Sequence, residues 1–126
     1  MLGNANAMAT IAVKNLEAAK KFYEGTLGLE PVPAEERVLG YRSGNSRLLV
    51  YESEYAGTNK ATAATWTVGD EIEQVVANLK KKGVNFEHYD FPGSRLEGDV
   101  HVMGNTKAAW LKDPDGNILA LVNGQS

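Results

Sequence analysis

The sequence predicts an α+β fold in which one βαβββ unit occurs twice, and three observations carry that expectation. A strand-like segment followed by an amphipathic helical pattern appears near the start and again at an offset of 55 residues, so that Val13 is matched by Val68, Asn15 by Asp70 and Gly28 by Gly83. Short apolar runs separated by turn residues follow each helix. Asp113-Pro114-Asp115-Gly116 puts Asp first, Pro second and Gly fourth, the preferences of a type I turn between two strands.

In chain order, residues 8–13 form the first strand, and Asn15 is placed to cap a helix over 16–26. Leu16, Ala19, Phe22 and Tyr23 fall on one face of that helix, and Leu27-Gly28 supplies the left-handed stop. Strands over 29–32, 37–42 and 47–53 follow, with Ser43-Gly44-Asn45 as a hairpin turn. The second unit opens with a strand over 62–68. Asp70 is expected to cap the second helix, whose apolar stripe is Ile72, Val75, Val76 and Leu79, with Lys80 to Lys82 and Gly83 at its end. Strands over 85–90, 107–111 and 118–123 complete the unit. Gly44 and Gly116 are 72 apart instead of 55, which leaves 17 extra residues in the second unit. Most of these fall in 91–105, read as a long loop and a candidate lid. The boundaries expected are a flexible N-terminus over 1–7 and a single domain over 8–126, with halves 8–54 and 61–123.

At 126 residues, with 43% AVILMFWYC and 23% DEKR, the chain has the size and balance of one soluble domain. A net charge of −3 and a pI near 5.4 give no basic stripe, so nucleic acid is not an expected partner. The absence of cysteine removes disulfides, thiolate metal sites and a Cys nucleophile. Residues 1–8 lack the basic start and apolar core of a signal peptide, and no run reaches the ~20 apolar residues of a membrane span. A cytoplasmic protein without a membrane partner is the default expectation.

Two βαβββ units, the segment Val13-Lys-Asn-Leu-Glu-Ala-Ala-Lys-Lys-Phe-Tyr23 running on to Leu27-Gly28-Leu29, and Trp110-Leu-Lys-Asp-Pro-Asp-Gly-Asn-Ile118 together resemble the vicinal oxygen chelate superfamily, the glyoxalase, bleomycin-resistance and extradiol-dioxygenase group. The resemblance covers about residues 8–123. It implies an open, curled eight-stranded mixed sheet around a cavity, with the helices outside. It also implies homodimers, and in metal-dependent relatives His and Glu ligands on the first and last strands of each half.

By that resemblance the first ligand position, five residues before the Val that precedes the helix, is Met8 here, and its counterpart before Val68 is Ala63. The last-strand position is Ala120. Its first-half counterpart falls at Leu48 or Val50, with Glu52 reached only by a further slip. One soft thioether, two alanines and at most one carboxylate do not make a divalent-metal site, so no metal and no cofactor are expected. Alternation places Thr10 on the face of Met8 and Thr65 on that of Ala63, while Ala120 shares its face with Ile118 and Val122, and Val50 with Leu48 and Glu52. Trp66 is expected in the core and Trp110 against the ligand. His88, Tyr89, Phe91, His101 and Met103 are the residues able to close the mouth.

The leading functional expectation is a non-metal member that binds or sequesters a small organic molecule, lined by Met8, Thr10, Val50, Glu52, Ala63, Thr65, His88, His101, Met103, Trp110 and Ala120. The alternative is a lyase or dioxygenase-type enzyme, either metal-dependent through His88 and His101 with Asp90, Glu97 or Asp99, or metal-free with Glu52 or a loop His as base. A module whose cavity is filled by its own side chains is the third class.

Overall fold

The computed structural model of the protein describes residues 2–124. After a 3₁₀ turn at Leu2–Asn4, β1 (Ala9–Val13) leads to α1 (Leu16–Lys20), where the Asn15 side chain accepts the Ala18 backbone N–H at 3.0 Å. The helix then widens into a π-helical segment, Lys21–Thr26, closed by Leu27 N–H donating to the Phe22 carbonyl at 2.9 Å. β2 (Glu30–Val32), β3 (Val38–Ser43) and β4 (Ser46–Glu52) follow, with Gly44 at φ 59° in the tight turn between the last two.

The second unit begins with β5 (Thr62–Thr67) and α2 (Ile72–Lys81). Asp70 does not cap α2 as expected: a 3₁₀ turn at Gly69–Glu71 precedes the helix, its cap residue is Glu71, and no side chain caps the end. Acidic Asp70, Glu71 and Glu73 instead sit where the helix dipole is positive. β6 (Phe86–Glu87) comes next. The segment 91–105 is then not a bare loop. It carries a hairpin of β7 (Arg95–Glu97) and β8 (Val100–Met103), and β9 (Thr106–Lys112) and β10 (Ile118–Val122) end the fold.

Among the described residues ten strands thus form two mixed sheets, where the sequence reading has a single run of eight. One sheet runs β1-β4-β3-β2 and the other β5-β10-β9-β8-β7, with β6 on the same edge of β9 as β8. In each, the first strand of the unit pairs parallel with the last, and the remaining pairs are antiparallel. Together with the two helices this is the α+β fold expected of the repeat. Among the described residues no helix is long and apolar enough to cross a membrane.

Register decides which residues the helices cover. Ile11 is opposite Val50 and Ala9 opposite Leu48, and Ile11, Val13, Leu48 and Val50 are all buried with Tyr41, Ala19 and Tyr23. On the second sheet Ala109, Leu111, Leu119 and Leu121 are buried in the same cluster as Ile72, Val76 and Leu79 of α2. Each such side chain stabilises the fold by roughly 1.5–3 kcal/mol relative to exposure. Trp66 packs against this core, and its indole N–H donates to Ser43 Oγ at 2.8 Å, tying one sheet to the other.

The expected placement of Val50 and Leu48 on the open face is therefore corrected. Thr10 is opposite Leu49, and Ala12 opposite Tyr51, so Leu49 and Tyr51 share the face turned away from α1. Val50 is 0% exposed and packs in the core with Ile11, Tyr41 and Ala19 of α1.

Candidate functional site on the open face of the second sheet

Ala120 is opposite Thr65 on one side and Trp110 on the other, so Thr65, Ala120 and Trp110 lie side by side on the face turned away from α2. His101 on β8 is opposite Ala108, two residues from Trp110, and points to the same face; the two ring centroids are 5.0 Å apart and nearly perpendicular. The segment after β6 folds back over this face. Tyr89 and Phe91 each place a ring centroid 5.4 Å from Trp110, and Tyr89 stacks on His101 at 6.3 Å. Beside these rings a pocket of about 320 Å³ is lined by Lys60, Ala61, Thr62, Tyr89, Phe91, Trp110 and Ile118.

His101 is completely buried in the aromatic cluster. Its Nε2 accepts the Tyr89 backbone N–H at 2.9 Å, which places the proton of the neutral ring on Nδ1. Nδ1 has no partner, and neither does the buried Tyr89 hydroxyl. Each such orphan costs about 1–3 kcal/mol, and native interiors rarely keep them without a use. Burial, and then the Glu87 carboxylate, push the Tyr89 hydroxyl up from its ordinary value. His88 is held at the surface, its Nε2 2.7 Å from Asp99 Oδ1, while Lys80 of α2 donates to Asp99 Oδ2 at 2.7 Å.

The remaining candidates are scattered. Met8 precedes β1 and is 48% exposed, whereas Glu52 stands opposite Val13 at the far end of the same strand pair, about 16 Å further along by strand rise. Glu52 pairs with Arg37 at 3.6 Å. Ala63 falls at a register shift of β5 against β10 and adjoins Thr10 and Ala12 in a shallow hollow of about 160 Å³. Met103 shares the His101 face but sits at the hairpin end opposite Thr106, away from the pocket. His88 and His101 are neighbours, at 6.2 Å between rings, yet the Nε2 of each is already engaged. Among the described residues no group of three or more His, Asp or Glu side chains is placed to hold a metal ion.

Sequence reasoning assigned Lys60, Ala61 and Thr62 to no site, and nothing in the composition of that connector marks them. Tyr89 and Phe91 are legible in the sequence as aromatics able to close the mouth, but not as walls packed on Trp110. A second cavity, of about 230 Å³, lies on the helix side among Leu27, Trp66, Val75, Leu79, Leu119 and Leu121. Its lining is apolar apart from Ser43, whose Oγ accepts the Trp66 indole N–H at 2.8 Å.

The profile of the Glyoxalase/Bleomycin resistance protein/Dioxygenase superfamily matches residues 6–121. The chain belongs to that superfamily. Solved members of the glyoxalase and fosfomycin-resistance groups share the fold at low identity. A lactoylglutathione lyase from Agrobacterium tumefaciens is 17% identical with a TM-score of 0.70, covering 94% of this chain and 92% of that one. A fosfomycin resistance protein, FosX, from Listeria monocytogenes, solved with Mn(II) and sulfate, is 15% identical with a TM-score of 0.73, covering 99% and 93%. An integron cassette protein from the mobile metagenome of the Halifax Harbour sewage outfall is 21% identical with a TM-score of 0.71, covering 94% and 97%. No curated protein matches the chain. The glyoxalase-superfamily scaffold is thereby shared, and the chemistry has to be read from this chain's own side chains.

Proposed function

We propose that this chain is a glyoxalase/bleomycin-resistance-like protein that lacks the superfamily's usual metal donors and binds or sequesters a small organic molecule. The observation that carries the reading is the pocket walled by Tyr89, Phe91 and Trp110 beside Ile118, aromatic and apolar on the face where Ala120 and Thr65 also lie. Its size suits one or two rings. Lys60 at the rim leaves room for a polar or anionic substituent.

The donor set does not fit the metal that the superfamily implies. Met8, Ala63 and Ala120 offer one thioether between them, and Glu52 lies at the opposite end of the strand pair from Met8. A divalent ion needs several hard or imidazole donors converging within about 2–2.5 Å, so no step is routed through one. A homodimer in the cytoplasm belongs to the same proposal, and light scattering after size-exclusion chromatography checks the dimer.

A thermal-shift screen with aromatic and aliphatic fragments tests the binding. A ligand present at one hundred times its Kd stabilises the native state by about 2.7 kcal/mol, a shift of roughly 10 °C for a domain of this size. Trp110→Ala is expected to remove that shift while Trp66→Phe keeps it. A purified protein that responds to no fragment but binds Mn, Zn, Ni or Fe stoichiometrically overturns the reading.

A further inference from the structure

His101 occupies a place where packing alone would be served by an apolar side chain. It belongs to the β7–β8 hairpin, which has no counterpart in the first unit, and it lies fully buried against three aromatic rings. Its Nε2 is committed to the Tyr89 backbone N–H, so the ring is held in one orientation and its second nitrogen, a donor in the neutral tautomer, is left without an acceptor. The Tyr89 hydroxyl, on the ring stacked over it, is equally without a partner. Two orphaned polar atoms in one cluster mark a closed arrangement that lacks an acceptor. Tyr89 and Phe91 pack against the His101 ring and also line the open pocket, and both lie outside any strand or helix.

We propose that His101 is the specificity-determining donor of the site. The ligands are aromatic molecules carrying a carbonyl or carboxylate oxygen, and that oxygen receives the Nδ1–H once the Tyr89 and Phe91 side chains rotate, with the Tyr89 backbone N–H remaining on Nε2. The ring of the ligand then takes the apolar surface of Trp110 and Ile118 beside it. A binding site built around a buried donor discriminates strongly against analogues that cannot pair with it, because binding them leaves the donor unsatisfied. The inference rests on the reading of the pocket as a ligand site.

Acetophenone and ethylbenzene, alike in shape but differing in the carbonyl, are the probes, titrated by NMR into the full chain and into His101→Phe. The wild-type protein is expected to hold acetophenone at least about tenfold more tightly than ethylbenzene, with the His101 Nδ1–H resonance moving only for acetophenone. His101→Phe is expected to remove the preference by weakening acetophenone alone. Equal affinities in the wild type, a preference that survives in His101→Phe, or an unmoved Nδ1–H signal with acetophenone bound overturns the assignment of His101 while leaving the pocket intact. If neither probe perturbs Trp110 or Phe91, the pocket reading itself fails, and this inference with it. The wild-type Nδ1–H signal decides the matter even where the variant does not fold.

Discussion

Tyr23, in the π-helical segment that follows α1, donates its hydroxyl to Asp113 Oδ2 at 2.8 Å, across 90 positions of sequence. Asn117 Nδ2 donates to the same oxygen at 2.8 Å and also to the Ala12 carbonyl of β1 at 2.8 Å, while the Asp115 and Asn117 backbone N–H groups bind Oδ1 at 2.9 Å. One buried carboxylate thereby fastens the last turn of the second unit to the first strand and helix of the first. Burial, and then the Asp113 charge, hold the Tyr23 hydroxyl well above the usual tyrosine range, so it stays a donor through ordinary pH. Tyr23→Phe is expected to destabilise by about 1–2 kcal/mol, and Asp113→Ala by about 3 kcal/mol or more because it orphans several buried donors at once. Urea unfolding checks the order; equal losses contradict it. The sequence marks Asp113 as a turn former, which it is. Its buried role was not legible, because no local pattern couples a turn to a tyrosine so far away.

At the scale of elements, the β7–β8 hairpin is the departure from the repeat. Sequence reading made it a loop because strands of three and four residues are too short to display alternation. A signal was nevertheless present: Gly98-Asp99 and Gly104-Asn105 are both two-residue hairpin connections, of the same kind as Gly44-Asn45. The hairpin is pinned to α2 through Asp99, whose carboxyl is held below its ordinary value chiefly by the hydrogen bond from Lys80 and then by that from His88. Because the folded value lies below the unfolded one, the contribution is complete above about pH 4 and is lost as pH falls through the folded value. Asp99→Asn is therefore expected to lower the melting temperature at neutral pH and to flatten its decline in acid. Acid limbs that coincide in wild type and variant would remove the network from the account.

For the whole molecule, the doubled unit was plain in the sequence because punctuation is local: caps, turn glycines and alternation recur at a fixed offset. The mixed α+β character followed from it, whereas the division into two sheets and the parallel pairing of the first and last strand of each unit are set by tertiary packing. The face of each strand was harder. A shift of one residue turned Leu48 and Val50 from the open side to the core, since side chains alternate with a period of two. The candidate site was legible only in part, because it arises where a connector over 60–62 and a folded-back segment over 89–91 meet Trp110, and such meetings are set by tertiary packing. The proposed function claims that this glyoxalase-superfamily scaffold holds an organic ligand by aromatic packing.

A crystal structure of the protein purified without chelator and grown with both manganese and acetophenone tests that claim most directly. Acetophenone is expected to be seated against Trp110 and Ile118, with no ion coordinated by side chains around Met8, Ala63 and Ala120. An ion held there by the chain, or a pocket left empty, would contradict it.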